Sequence, residues 1–206
     1  MTMTYVGKSV RRKEDPRLIT GKGTYVDDVK LVGMLHLALV RSPHAHARIR
    51  KINVTRAAKH PGVVAVFTGA DLQGQLGSLP AGWVLKDMKA PPHPPLAFEK
   101  VRCVGDAVAA VVANDPYTAA DAARLVDVDY EPLSVVVDAE KATKRGAPQL
   151  HKEAPNNTAF DWEVGGGDYA AAVKKADIVV KQRFINQRLI PNAIETRGVI
   201  AVPVSS

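Results

Sequence analysis

Two imidazoles, one thiol and several carboxylates are the side chains here that could do chemistry. His44 and His46 sit two apart, so on a strand they would share a face. A metal would need at least one further ligand, and His36, His60, His93 and His151 fall at no ligand spacing. Following Ser42-Pro43, the pair reads instead as part of a turn, bonded to backbone. Cys103 has Arg102 beside it and Asp106 nearby. A neighbouring cation could make it a reactive thiolate, whereas its apolar surroundings suit a small buried hydrophobe, which is the reading adopted. The pairs Asp27-Asp28 and Asp127/Asp129 could serve acid–base chemistry only by converging on a substrate. Adjacent strand residues diverge, and Asp127 and Asp129 read as the solvent face of a strand. Gly165-Gly-Gly-Asp matches neither the Walker nor the dinucleotide pattern and reads as a hinge with a helix cap at Asp168. Gly7-Lys-Ser lacks the upstream glycine of a phosphate loop. Glu195 and Arg197 read as a structural ion pair within a sheet. No catalytic, cofactor-binding or metal residue is therefore assigned.

The elements that would position these groups follow from apolar periodicity. Residues 1–20 are polar and basic and read as an extended arm. Gly21 to Ala47 reads in outline as a turn at Gly21 and Gly23, a short strand, a second turn and a buried strand. Residues 34–40 form an apolar run suited to a strand covered on both faces, ended by Ser42-Pro43. Residues 47–54 alternate as a half-buried strand, 54–60 suit a short helix, and 63–67 are a further buried strand. Thr68 to Leu72 reads as a turn. From Gln73 to Glu99 five prolines interrupt every regular signal. A short strand at Val101 and a strong one through Ala113 follow. Pro116 then opens an alanine-rich helix behind the caps Asn114 and Asp115. Residues 126–130 alternate as a strand broken by Glu131-Pro132, and 134–137 read as a last short strand. The class is α+β. Domain boundaries are placed at 21–143 for this body, 144–167 for a linker, and 168–206 for the opening of a second domain with a helix to Lys175 and strands at 178–185 and 194–202.

Composition sets the bounds. The chain has 206 residues, 46% hydrophobic and 24% charged, ordinary values for a globular protein. A single cysteine excludes an intrachain disulfide framework. No run reaches the roughly 18 apolar residues of a membrane span, and no secretory leader is evident, so a cytoplasmic setting is expected. The net charge of +7 is uneven: residues 1–60 carry 13 Lys and Arg against 4 Asp and Glu, and the rest carry 15 against 17. Dispersed charge with few aromatic neighbours argues against nucleic acid and leaves an acidic partner surface or a solvated face.

Several strings, in order, resemble the molybdenum-binding large subunit of the xanthine dehydrogenase, aldehyde oxidase and carbon monoxide dehydrogenase family. They are Arg11 to Asp28, Arg41-Ser-Pro-His-Ala-His-Ala-Arg-Ile, Pro61 to Leu72, Val104 to Ala113, Ala119 to Leu133 and Pro191-Asn-Ala-Ile-Glu-Thr-Arg-Gly. The resemblance implies an a/b hammerhead domain followed by the incomplete start of a molybdopterin-binding domain. In the complete subunit it implies molybdenum on molybdopterin cytosine dinucleotide, oxidising CO, aldehydes or N-heterocycles, with [2Fe–2S] clusters and FAD on partner chains. The implied partners are the remaining large-subunit polypeptide, an iron–sulfur subunit and an FAD subunit, in an oligomer. The family's glutamine beside molybdenum, its Phe-Gly-Gly segment, its pterin loops and its catalytic glutamate match no position here. The expected role is structural and interfacial, not catalytic alone. The alternative is a freestanding hammerhead interaction module without redox activity.

Overall fold

The computed structural model describes residues 5–203, which divide into two compact units, Gly33–Lys175 and the two ends of the chain, Met1–Val32 with Ala176–Ser206. The elements are α+β.

The larger unit is built on two three-stranded antiparallel sheets. In the first, β5 (Ala107–Ala113) lies between β1 (His36–Arg41) and β3 (Val63–Thr68). In the second, β2 (Ala47–Asn53) lies between the two-residue β4 (Lys100–Val101) and β6 (Asp127–Pro132). The sequence of β5, Ala-Val-Ala-Ala-Val-Val-Ala, explains its central place. Its small and β-branched side chains suit a strand buried on both faces. Val108, Ala109, Val111 and Ala113 are all fully buried. Helix α4 (Pro116–Ala123) packs on this sheet through Ala119 and Ala122. Pro116 supplies a pre-set φ in its first turn, and the Asp115 carboxylate accepts from the N–H groups of Tyr117 and Thr118, both at 2.9 Å. One-turn helices α2 (Thr55–Ala58) and α3 (Gly69–Leu72) flank β3. The second sheet contributes Ala47, Ile49, Ile52, Val101, Val128 and Tyr130 to a core cluster that also takes in Val108 and Val40.

Gly69 marks a tight place. A Cβ there would lie 2.7 Å from the Ala97 carbonyl oxygen, so only glycine lets the end of the Pro-rich loop pass the start of α3 so closely. That loop, residues 73–99, forms no helix or ladder strand, only an isolated bridge of Gln73 with Leu76. It is pinned at its far end by Ala97 N–H to Ala107 O at 2.7 Å and Ile49 N–H to Glu99 O at 2.9 Å. The buried Leu96 anchors it further.

After β6, a single turn α5 (Ala139–Ala142) is capped by Asp138. Residues 144–160 then wind irregularly but are tied down by Asn157. Its Nδ2 donates to the carbonyls of Ala142 and Pro148, and its Oδ1 accepts from Leu150 N–H, each at 2.9 Å. Helix α6 (Tyr169–Lys175) begins at Asp168, whose carboxylate accepts from Ala171 N–H. The cap expected at Asp168 is therefore present.

The smaller unit holds α1 (Asp15–Ile19) and a 3-10 turn, Val26–Asp28. No described residue in it is buried. The basic arm differs from the extended reading in forming α1, where Pro16 sits in the first turn.

Several sequence expectations need correction. Residues 178–185 and 194–202 form no strand, because no described neighbour offers them a ladder and two strands alone are marginal. Residues 134–137 do not form a strand either. Leu133 N–H bonds to His46 O where β6 ends, after which Val135 and Val137 are exposed. Glu131-Pro132 does not break β6 but closes it, opposite Arg48 and Ala47, since a terminal proline costs no interior ladder bond. The strand at 34–40 is covered on one face only, with Leu37 61% exposed. Tyr25 to Asp28 turns, because Asp28 reaches back to accept the Tyr25 N–H at 2.9 Å. In addition, Thr68 to Leu72 winds into α3, where the Asp71 carboxylate bonds the Thr68 N–H and hydroxyl, both at 2.7 Å.

Candidate functional site

Three places gather polar or aromatic side chains. The first is the turn joining β4 to β5. Gly105, with φ +93°, closes it, and its N–H donates to Ser42 O while Ser42 N–H donates to Asp106 O. The Asp106 carboxylate sits inside the turn and accepts from Arg102 N–H at 2.6 Å, Cys103 N–H at 3.2 Å and Cys103 Sγ at 2.9 Å. Burial raises its pKa, but these donors outweigh burial and hold it below the usual carboxylate value. The effect on Cys103 is the reverse. Partial burial and the adjacent carboxylate push its thiol up to about 11. Cys103 is exposed in this turn and not buried in a strand, because β4 stops at Val101. The Arg102 guanidinium is directed to the Leu150 carbonyl at 3.0 Å and does not activate the thiol.

The two histidines lie in the neighbouring turn, as the Ser-Pro signal indicates. His44 N–H donates to Ser42 Oγ at 3.0 Å, and the His44 ring meets Tyr130 edge-on at 5.0 Å. His46 is buried, with Nδ1 2.7 Å from the Ser134 carbonyl. That contact makes Nδ1 the protonated nitrogen. His46 Nε2 is buried without a partner, and no group of three metal-ligating side chains occurs among the described residues. Asp127 and Asp129 lie on the exposed face of β6, as expected, opposite Asn53 and Lys51.

The second place belongs to the smaller unit. Tyr25, Asp27, Asp28, Ile194, Glu195 and Thr196 line a cleft of about 160 Å³. Glu195 Oε1 accepts from Val26 N–H at 3.1 Å. The ion pair expected between Glu195 and Arg197 inside a sheet is absent from the described contacts, since no sheet forms there and the carboxylate is engaged by backbone. Three carboxylates in a small cleft make it a poor receptor for an anion.

The third place is not evident from the sequence. A groove of about 530 Å³ runs between residues 85–89 of the Pro-rich loop and residues 158–162. Lys89 N–H donates to Ala159 O at 2.8 Å and joins the two walls. Leu85, Phe160 and Trp162 make its apolar surface, and Lys86, Asp87, Lys89 and Asp161 its rim. Asp87 has φ +66°, a region that costs a non-glycine residue about 1 kcal/mol or more. The only signal in the sequence is the aromatic pair Phe160 and Trp162 within a polar stretch.

No helix among the described residues is long and apolar enough to cross a membrane. Residues 20–134 match the family described as aldehyde oxidase and xanthine dehydrogenase, a/b hammerhead domain, and residues 150–206 match the molybdopterin cofactor-binding domain. The chain is 43% identical to the carbon monoxide dehydrogenase large chain of Afipia carboxidovorans, over 95% of this chain and 25% of that protein. It is 38% identical to the 6-hydroxypseudooxynicotine dehydrogenase complex subunit gamma of Paenarthrobacter nicotinovorans, over 97% and 25%. Among solved structures, aldehyde oxidoreductase from Desulfovibrio gigas is similar with a TM-score of 0.70 and 31% identity, over 81% of this chain and 19% of that one. The chain thus spans about a quarter of the length of these relatives.

Proposed function

Because the chain belongs to the aldehyde oxidase and xanthine dehydrogenase family, we propose that it is the amino-terminal scaffold of a molybdenum hydroxylase large subunit. The observation that carries this reading is the run 178–202. Ile178, Val180, Phe184, Ile185, Leu189 and Ile190 are all largely exposed, with no ladder partner among the described residues. So much apolar surface in one segment marks an interface. It lies within the stretch matched to the cofactor-binding domain, and the remaining large-subunit polypeptide would pair with it.

The proposed divisions are a basic arm at 1–20, a hammerhead domain at 21–143, a linker at 144–167 and the opening of the cofactor domain at 168–206. In this reading the chain supplies no catalytic, cofactor or metal-binding residue. The cleft in the smaller unit does not suit a pterin dinucleotide. Its pyrophosphate is an anion, whereas the cleft in the smaller unit presents Asp27, Asp28 and Glu195. Molybdenum on molybdopterin cytosine dinucleotide would be held by the remaining polypeptide. The [2Fe–2S] clusters and FAD would be carried on partner chains of a cytoplasmic oligomer. Oxidation of CO, an aldehyde or an N-heterocycle would belong to that whole.

Co-expression of the chain with the remaining large-subunit polypeptide and the partner subunits, followed by native mass spectrometry and molybdenum and iron assay, tests the proposal. A complex with stoichiometric molybdenum and iron is expected. A metal-free monomer or homodimer that ignores the other chains would instead leave a freestanding hammerhead module.

A further inference from the structure

We propose that the cofactor-binding domain is assembled from both ends of this chain, with residues 25–28 seated on residues 194–198 and the unit Gly33–Lys175 entering as an insertion between the two parts. The proposal rests on the scaffold reading above. It moves residues 21–32 out of the hammerhead and into the domain that the remaining polypeptide would complete.

The turn Val26–Asp28 is held by its own atoms. Asp28 Oδ2 accepts from Tyr25 N–H at 2.9 Å, Asp28 N–H donates to Tyr25 O at 3.0 Å, and Val29 N–H donates to Val26 O at 3.2 Å. Val26 opens this turn, so its own N–H has no partner inside it. Glu195, 169 positions further on, supplies that partner at 3.1 Å. The Val26 side chain lies against Gly198, where a Cβ would come within 2.7 Å of Val26 Cγ1 and 3.0 Å of Val26 Cβ. Only glycine permits so close an approach. A satisfied backbone donor and a side chain fitted against a glycine are two separate contacts between the same two segments. Local propensity cannot bring together residues this far apart in sequence, whereas a shared fold does. The family matches divide the chain differently, with residues 20–134 in the hammerhead and 150–206 in the cofactor domain. Residues 25–28 fall on the hammerhead side of that division and make these contacts on the other. With no described residue buried, the unit lacks a core of its own, which the remaining polypeptide would supply.

The test is a double-variant cycle on capture of the remaining large-subunit polypeptide by the chain. Gly198→Ala should weaken capture by about tenfold, because its Cβ meets the Val26 side chain. Val26→Gly removes the atoms that it meets. In a Val26→Gly chain, Gly198→Ala should therefore cost only about twofold or less. The cooperative thermal transition of the chain should be the same in all four proteins. The second measurement is cross-linking in a Cys103→Ser chain that carries Val26→Cys and Gly198→Cys. The two Cβ positions are 3.0 Å apart, near the roughly 3.8 Å of a disulfide. Peptide mapping after mild oxidation should show this disulfide forming at least about tenfold faster than one between Val26→Cys and Val137→Cys, a pairing with an exposed position of the other unit. Equal losses from Gly198→Ala with and without the Val26 side chain, or a cross-link no faster than that control, would overturn the proposal and leave the scaffold reading standing. A chain that captures no polypeptide, although the cross-link forms, would overturn the scaffold reading and with it the assignment of residues 21–32 to the cofactor domain.

Discussion

The unit Gly33–Lys175 and the run 178–202 have similar apolar appetite and opposite outcomes. In the first, Val108, Ala109 and Val111 are fully buried in a strand paired on both sides. In the second, Ile178, Val180 and Phe184 stand exposed with no ladder. Strand propensity is comparable, since both are rich in β-branched residues. The difference is supply of neighbours. Burial requires a second layer, and a ladder requires a second strand. Apolar pattern therefore specifies what a segment needs, and only topology decides whether this chain provides it.

The sharpest way to break the contrast is native-state hydrogen exchange. Amides of β5 should open only with global unfolding, on the order of 5–15 kcal/mol, whereas amides of 178–202 should exchange with almost no protection. Comparable protection in both would end the distinction. Next in size is Val111→Asp, which places a carboxylate without a partner in the core. A loss above about 4 kcal/mol is expected, seen as disappearance of the cooperative thermal transition. The other segment should show no such loss: Val180→Asp in the isolated chain should leave that transition in place.

A third measurement concerns reactivity. The Cys103 thiol is raised to about 11 from an ordinary 9.0, so it stays protonated at pH 8. Iodoacetamide should modify it about a hundredfold more slowly than an unperturbed thiol, with the rate rising about tenfold per pH unit until near that value. Asp106→Asn removes the adjacent negative charge and should recover part of the rate. Equal rates in the two proteins would mean that the carboxylate does not control the thiol. The smallest effect is Gly69→Ala, whose Cβ would press on the Ala97 carbonyl. A cost of about 1–3 kcal/mol, read from denaturant melts, is expected of such overpacking.

Much of the larger unit is legible in the sequence. The alternation of Ala47 to Asn53, the β-branched run ending at Ala113 and the Asp115–Pro116 helix start each carry a local cause that the tertiary structure respects. The two-histidine turn is legible for the same reason, since Ser42-Pro43 ends β1 just before it. What sequence does not reveal is cross-segment. Cys103 reads as buried because valines surround it, yet the ladder with β2 ends at Val101 and leaves the thiol exposed in a turn. Asn157 reads as linker, yet it bonds three separated backbone groups. The groove beside Trp162 joins segments some seventy residues apart, and no periodicity reports such a meeting.

The pairing of β5 with both β1 and β3 has a consequence for how the chain is made. His36 lies opposite Ala113, and so does Val63. Neither strand can begin its ladder before residues 107–109 are made or complete it before residue 113, and at about 5–20 residues per second that wait lasts seconds. Throughout it the nascent chain shows two unpaired apolar strands, the condition in which chaperones intervene. Contacts this distant in sequence also slow folding of the finished chain, toward the millisecond-to-second range of non-local β topologies. Synthesis speed across residues 73–113, a stretch that opens with the Pro-rich loop, is therefore a control on yield that acts before any partner is met.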